Sequence, residues 1–328
     1  MTDAPYLEQP ELHTKAPFRS AILTYPGNFR EALRQAEDPS KVLFGVAQGM
    51  PSVFVTKILA STKPDFIWFD VEHAMFDRLS LYDAVQAAQH HSEGKSMVIV
   101  RVPAKDLTVL STALDAGAAG IVIPHCESAA EVKAMLDEIY YPPIGKRSFS
   151  PWTFTPGISD QSLYQGDSFN MGTSNRHIVV IAQIESVKGA ENVEEIAALE
   201  GIGALMFGPG DFMADAGLPI KVGGEPHPIF AAAMGKFVAA GQKFNKPLFG
   251  AAMVSEMVPM MLKQGYRAIA VAFDMWGLAN VVHGGLVKAR GYAKEAGEER
   301  DREREREKEK GVVRLINGHG NGKPAAEP

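Results

Sequence analysis

Cysteine is almost missing from this 328-residue chain: Cys126 stands alone, so no intramolecular disulfide can form and no Cys/His cluster with zinc-finger spacing can be built. No apolar stretch approaches the roughly 20 residues that a membrane-spanning helix needs. Residues 1–10 lack the basic segment and apolar run of a secretory signal. These absences predict a soluble protein of a reducing, cytoplasmic compartment with no membrane partner. Positive charge is not in excess either. Lys and Arg number 33 against 39 Asp and Glu, a formal charge of −6, so nothing suggests the basic face that nucleic-acid phosphates require. Small molecules are the expected partners.

Apolar material is plentiful, at 46% of residues, enough for a single large domain. From residue 41 to 296 short β-rich apolar runs alternate with segments of helical periodicity, the pattern of βα units around a parallel sheet. The runs are 42–47, 66–70, 97–101, 120–124, 178–184, 204–207, 248–251 and 268–273, nearly all continuously apolar, as for strands buried on both faces. Eight of them predict an α/β fold, a (β/α)8 TIM barrel with a closed parallel sheet. Ser128 followed by Glu131 forms a capping box ahead of Val132, Met135, Leu136 and Ile139. Pro142-Pro143 then stops that helix. The polar, Gly- and Pro-rich connection 141–176 is long enough for an active-site lid or a subunit contact. Residues 1–40 read as an N-terminal extension with a short helix over 29–36 capped by Asn28. Residues 297–328 read as a charged tail, a frayed helix passing into disorder.

In such a barrel, chemistry belongs to the carboxy-terminal ends of the strands and stability to the opposite rim. Glu185 and Asp211 follow neighbouring runs, so their carboxylates can reach one point, and an all-oxygen pair without thiolate suits a hard cation such as Mg²⁺ or Mn²⁺. Alternatively each carboxylate caps the helix that starts beside it. Gly208, Pro209 and Gly210 make a tight turn whose amides could approach a substrate carboxylate, although turn formation alone explains the string. Arg101 ends its run and would donate to carboxylate or enolate oxygens; a salt bridge to Asp70 or Glu72 is its other reading. His73 with Asp70 offers an acid/base group and a carboxylate to orient it. Trp68, Trp152 and Phe169 could line a pocket or simply fill core. Asp115, at the end of the third barrel helix, falls on the rim opposite the chemistry. Cys126 reads as buried and inert.

The strings Phe69-Asp70-Val71-Glu72-His73, Arg101-Val102-Pro103, Leu114-Asp115-Ala116-Gly117-Ala118, Tyr141-Pro142-Pro143-Ile144-Gly145-Lys146-Arg147, Gln183-Ile184-Glu185-Ser186 and Phe207-Gly208-Pro209-Gly210-Asp211 together resemble the HpcH/HpaI aldolase family over residues 42–289. The resemblance implies a metal-dependent carbon-carbon lyase with Mg²⁺ at Glu185 and Asp211. It implies Arg101 on a pyruvate enolate, Asp70 with His73 as the acid/base pair, and Gln183 positioning pyruvate. It also implies a homo-hexamer, a trimer of dimers with an exchanged C-terminal helix, in which Asp115 reaches a neighbouring site. The expected substrates are a 2-oxo acid such as pyruvate or oxaloacetate and an electrophile. The enolate would form by oxaloacetate decarboxylation or retro-aldol cleavage and then take a proton or add to the second substrate. A plain aldolase, releasing pyruvate and an aldehyde from a sugar acid or dihydroxy diacid, is the alternative enzyme. An inactive oligomeric scaffold or metabolite sensor is the alternative outside enzymology.

Overall fold

The computed structural model describes residues 27–149, 171–220 and 225–318. Its first helix, α1 (Phe29–Gln35), starts where the Asn28 side chain accepts the Glu31 amide at 3.0 Å. Strand and helix then alternate: β1 (Leu43–Gln48), α2 (Val53–Ser61), β2 (Phe66–Asp70), α3 (Arg78–His91), β3 (Met97–Arg101), α4 (Leu107–Ala116), β4 (Gly120–Ile123) and α5 (Ala129–Ile139). After the connection come α6 (Met171–His177), β5 (Val179–Ile184), α7 (Val187–Glu191), α8 (Val193–Ala197), β6 (Ile202–Phe207) and α9 (Pro209–Asp215). The chain continues through α10 (Pro228–Lys243), β7 (Leu248–Ala251), α11 (Val258–Gln264), β8 (Tyr266–Phe273) and α12 (Asp274–Gly318).

The eight strands pair in parallel and in sequence order, β8 returning to β1, so the sheet is a closed barrel. Each predicted apolar run became a strand, with ends moved by at most two residues. Local chemistry starts the helices between them. Ser52, Asp77, Asp106, Ser128 and Ser186 each accept a first-turn amide with their side chains, and Asp77 forms a capping box with Ser80.

Because side chains alternate along a strand, each strand contributes to two cores. Ile67, Phe69, Val98, Val100, Val180 and Ala182 face outward and pack beneath the helices. Phe66, Trp68, Met97, Ile99, Val179, Ile181 and Met206 face inward and fill the barrel. The lower end is stopped by α1, whose Phe29 is fully buried in this inner cluster. Gly120 makes room for it: a Cβ there would stand 2.9 Å from the Phe29 ring.

The chain forms two compact units, Met1–Met275 and Trp276–Pro328. The boundary of 296 read from the sequence follows a change in charge, whereas this division follows packing. The second unit is the bulk of α12, which runs without a break through the charged stretch to Gly318. Its length follows from composition: Glu, Lys and Arg are good helix formers and pair across one turn, as Lys294 and Glu298 do at 3.7 Å. Among the described residues no helix is long and apolar enough to cross a membrane.

Candidate active site

The alternation that fills the barrel also places polar groups at its upper end. Two residues beyond inward-facing Trp68 comes Asp70, beyond Ile99 comes Arg101, and beyond Ile181 come Gln183 and then Glu185; beyond Met206 comes Gly208. The upper layer is thus ionic while the layers below it are apolar, which removes water from beneath the charges and strengthens every interaction among them.

Arg101 is the organising cation. Its guanidinium donates through Nε to Asp70 Oδ1 at 2.9 Å and through Nη2 to Asp70 Oδ2 at 2.6 Å, a bidentate pair. Nη1 lies 3.3 Å from Glu72 Oε2, and Cζ sits 5.7 Å from the centre of the Trp68 ring. Burial works against the Arg101 charge, but the Asp70 hydrogen bond and the carboxylates around it outweigh burial and raise its pKa. Trp68 lies on edge against Phe249, ring centres 5.5 Å apart, and its buried indole N–H has no hydrogen-bond partner among the described residues. A buried donor beside a guanidinium is a place for an anionic ligand oxygen.

Glu185 is the most deeply placed carboxylate, 1% exposed. Its Oε1 accepts the His125 amide at 2.7 Å and its Oε2 accepts from the Gln183 side-chain amide. Burial pushes its pKa up, the His125 amide and ring pull it down, and the charges of Asp211 and Glu72 raise it further. Gly208 is what lets this side chain fit: a Cβ there would stand 2.5 Å from Glu185 Oε2 and 3.0 Å from Gln183 Nε2. The Gln183 Oε1 is buried without a partner among the described residues. Asp211 stands exposed in the first turn of α9. The Gly208 amide is spent on Ile184 O at 2.9 Å and Pro209 has none, so Gly210 is left as the turn residue whose amide the helix does not use. The expectation of a cradle made by the whole turn is corrected accordingly: Gly208 acts through the space it leaves.

The expected pairing of Asp70 with the His73 ring is also corrected. Asp70 Oδ1 takes the backbone amides of Glu72 and His73 at 3.2 and 3.4 Å, and its lone pairs are otherwise turned to Arg101. The imidazole, 63% exposed, has Nε2 3.8 Å from Glu72 Oε2 instead. Glu72, expected only as an alternative salt-bridge partner of Arg101, bridges Arg101 and His73, and burial raises its pKa before Arg101 and His73 lower it. His125 was equally undervalued. Its left-handed backbone, φ 49°, turns the chain off β4 and brings both its amide and its ring, Nδ1 3.8 Å away, to Glu185. The signal was its place directly after a strand end, beside a proline.

Asp115 stays on the opposite rim, at the end of α4, held by Arg147 Nη2 at 2.9 Å. Gln48, at the end of β1, points out of the barrel and donates to Met50 O and Ser52 O. Cys126 is buried, with its thiol pKa pushed up by burial, as expected of an inert residue. Trp152, Phe169 and most of the long connection lie outside the described residues.

A family model for HpcH/HpaI aldolase/citrate lyase matches residues 50–280, which span every strand end described above from Asp70 to Asp211. The chain belongs to the HpcH/HpaI aldolase/citrate lyase family. It is therefore an enzyme, a carbon-carbon lyase on a TIM barrel. Among solved structures it is similar to macrophomate synthase, with 62% identity and a TM-score of 0.79 over 88% of this chain and 98% of that one. It is 31% identical to the hydroxypyruvate/pyruvate aldolase of Paraburkholderia phytofirmans over 76% of this chain and 94% of that protein. It is 30% identical to the 4-hydroxy-2-oxovalerate aldolase of Novosphingobium aromaticivorans, over 80% of this chain and 94% of the relative.

Proposed function

We propose that this lyase generates a pyruvate enolate from a 2-oxo acid at a divalent cation held by Glu185 and Asp211. The observation that carries the reading is the charge balance at the rim. Asp70, Glu72 and Glu185 surround one guanidinium, three carboxylates against one cation, and the charge of Asp211 bears on Glu185, which is almost fully buried. Such a cluster is unfavourable unless a cation completes it. The donors are all oxygen and exclude thiolate, which fits Mg²⁺ or Mn²⁺. Among the described residues no group of three His, Cys, Asp or Glu side chains could hold a metal ion, so Glu185 and Asp211 would hold it as a pair. The cation would supply Lewis acidity toward the 2-keto oxygen.

The protein's own groups account for the rest. Arg101, with N–H groups left after pairing with Asp70 and Glu72, and the Trp68 indole N–H form a donor pair for the substrate carboxylate and the developing enolate oxygen. In oxaloacetate the C3–C4 bond breaks, CO₂ leaves, and the electron pair becomes the C2–C3 enolate. His73 at the open mouth can deliver a proton to C3, with Glu72 beside it to stabilise the imidazolium. When a second substrate is present, C3 attacks it instead.

The similarity to a synthase, macrophomate synthase, favours addition of the enolate to a second substrate. The aldolase relatives favour retro-aldol release of pyruvate from a hydroxylated 2-oxo acid. An Mg²⁺-dependent oxaloacetate assay, run with aldehydes and with a 2-pyrone, separates these by product. Glu185→Gln should lower the rate by about a hundredfold or more; full Mg²⁺-dependent decarboxylation by that variant would sink the assignment. The exposed apolar side chains of α12, Trp276, Leu278, Val282 and Leu286, support assembly through this helix. Light scattering should return the mass of a hexamer.

A further inference from the structure

The lower rim carries a feature that carbon-carbon bond chemistry does not use. Between α1 and the lower ends of β5, β6 and β7 lies a cavity of about 320 Å³, within the roughly 300–1,000 Å³ of small-molecule sites. Arg30, Arg34, Lys246 and Arg267 line it, with Glu37 the one carboxylate in the wall. Arg34 is already paired with Glu31 at 2.6 Å. Arg30, Lys246 and Arg267 have no carboxylate partner among the described residues. Their hydrogen bonds go to neutral groups: Arg30 Nη2 to Tyr140 Oη and Ile178 O, Lys246 Nζ to Ile202 O, and Arg267 Nη1 to Leu262 O and Tyr266 O. Those contacts fix the three side chains but neutralise none of them, and each retains donors. Burial first, and the Arg30 charge second, hold the Lys246 ammonium below its ordinary pKa, with the Glu200 charge opposing them.

We propose that this cavity binds a small polyanion, a phosphate- or polycarboxylate-bearing metabolite, across Arg30, Lys246 and Arg267. Such a ligand would also tie α1, the helix whose Phe29 stops the barrel, to the lower ends of β7 and β8. The site is on the rim opposite Arg101 and does not depend on the assignment of the metal or the substrate.

The test is titration calorimetry on the metal-free full-length chain with inorganic phosphate and, separately, citrate, at constant ionic strength. One anion per chain should bind, and the probe that binds more tightly assigns the phosphate or the carboxylate source. Lys246→Gln and Arg267→Gln should each weaken binding about tenfold, while Arg101→Gln leaves it unchanged. Arg267 is half-exposed, so its variant remains informative if Lys246→Gln folds poorly by circular dichroism. Absence of saturable binding by both probes overturns the proposal, as does binding that the lower-rim substitutions do not weaken or that Arg101→Gln removes.

Discussion

Replacing Glu185 by glutamine should make the metal-free protein more stable and at the same time deprive it of stabilisation by metal. The swap is nearly isosteric, and both hydrogen bonds can survive it. The retained oxygen still accepts the His125 amide, and the new NH₂ can donate to Gln183 once that amide turns its partnerless Oε1 inward. What disappears is a buried charge that burial, Asp211 and Glu72 all disfavour. The folded carboxyl therefore holds its proton more tightly than the unfolded one. Its contribution favours folding at low pH and is lost as pH rises from the ordinary carboxylate range through the raised value. Metal-free wild type should lose stability over that window, and the variant should lack this part of the loss. Glu72, raised in the same sense, leaves a smaller residue of it in both. With Mg²⁺ at 100 times its dissociation constant, wild type should gain about 2.7 kcal/mol. For a folded unit of this size that is a rise of about 5–10 °C in Tm, growing with pH because the cation takes the ionised carboxylate. Differential scanning fluorimetry with and without Mg²⁺ across pH reads all of this. Equal Mg²⁺ shifts in the two proteins, or a metal-free variant melting well below wild type, would refute the reasoning.

Four further outcomes follow from the geometry. Gly208→Ala drives a methyl group into Glu185 and Gln183; it should cost about 1–3 kcal/mol and abolish the Mg²⁺-induced rise in Tm. Arg101→Ala leaves Asp70 and Glu72 without their cation; chemical denaturation should register a loss of about 3–5 kcal/mol, and oxaloacetate turnover should fall by about 10²–10³. Trp68→Phe keeps most of the packing but removes the indole N–H, so KM for the 2-oxo acid should rise about tenfold with the fold intact. Phe29→Ala empties the lower end of the barrel; it should cost about 3–5 kcal/mol while kcat at a temperature where the variant is folded stays near the wild-type value.

The barrel was legible because strands buried on both faces must be apolar at every position, and eight such runs separated by amphipathic segments have few other ways to close. The candidate residues were legible for a related reason. A charged residue at the end of an apolar run, such as Arg101 after 97–100 or Glu185 after 178–184, has only the rim in which to be solvated. Which charge faces which was not legible, because it depends on strand register. Sequence left Asp70 between the His73 ring and a salt bridge to Arg101; Asp70 lies opposite Arg101 in the β2–β3 pairing, and the guanidinium captures it. The contacts of Glu72 and His125 depend on the fold in the same way: one takes its meaning from a neighbouring strand, the other from a left-handed backbone that carries its amide to Glu185 across the β4–β5 pairing.

The sequence by itself therefore determined the fold class, the rim on which polar residues gather and the chemical types found there, since all three follow from hydrophobic period and from where polar residues interrupt it. Only the tertiary structure decided the pairings, the space that Gly208 leaves for Glu185 and the gathering beneath α1 of cations that have no carboxylate partner among the described residues. Those depend on distances between segments far apart in the chain, which packing sets and local pattern does not encode.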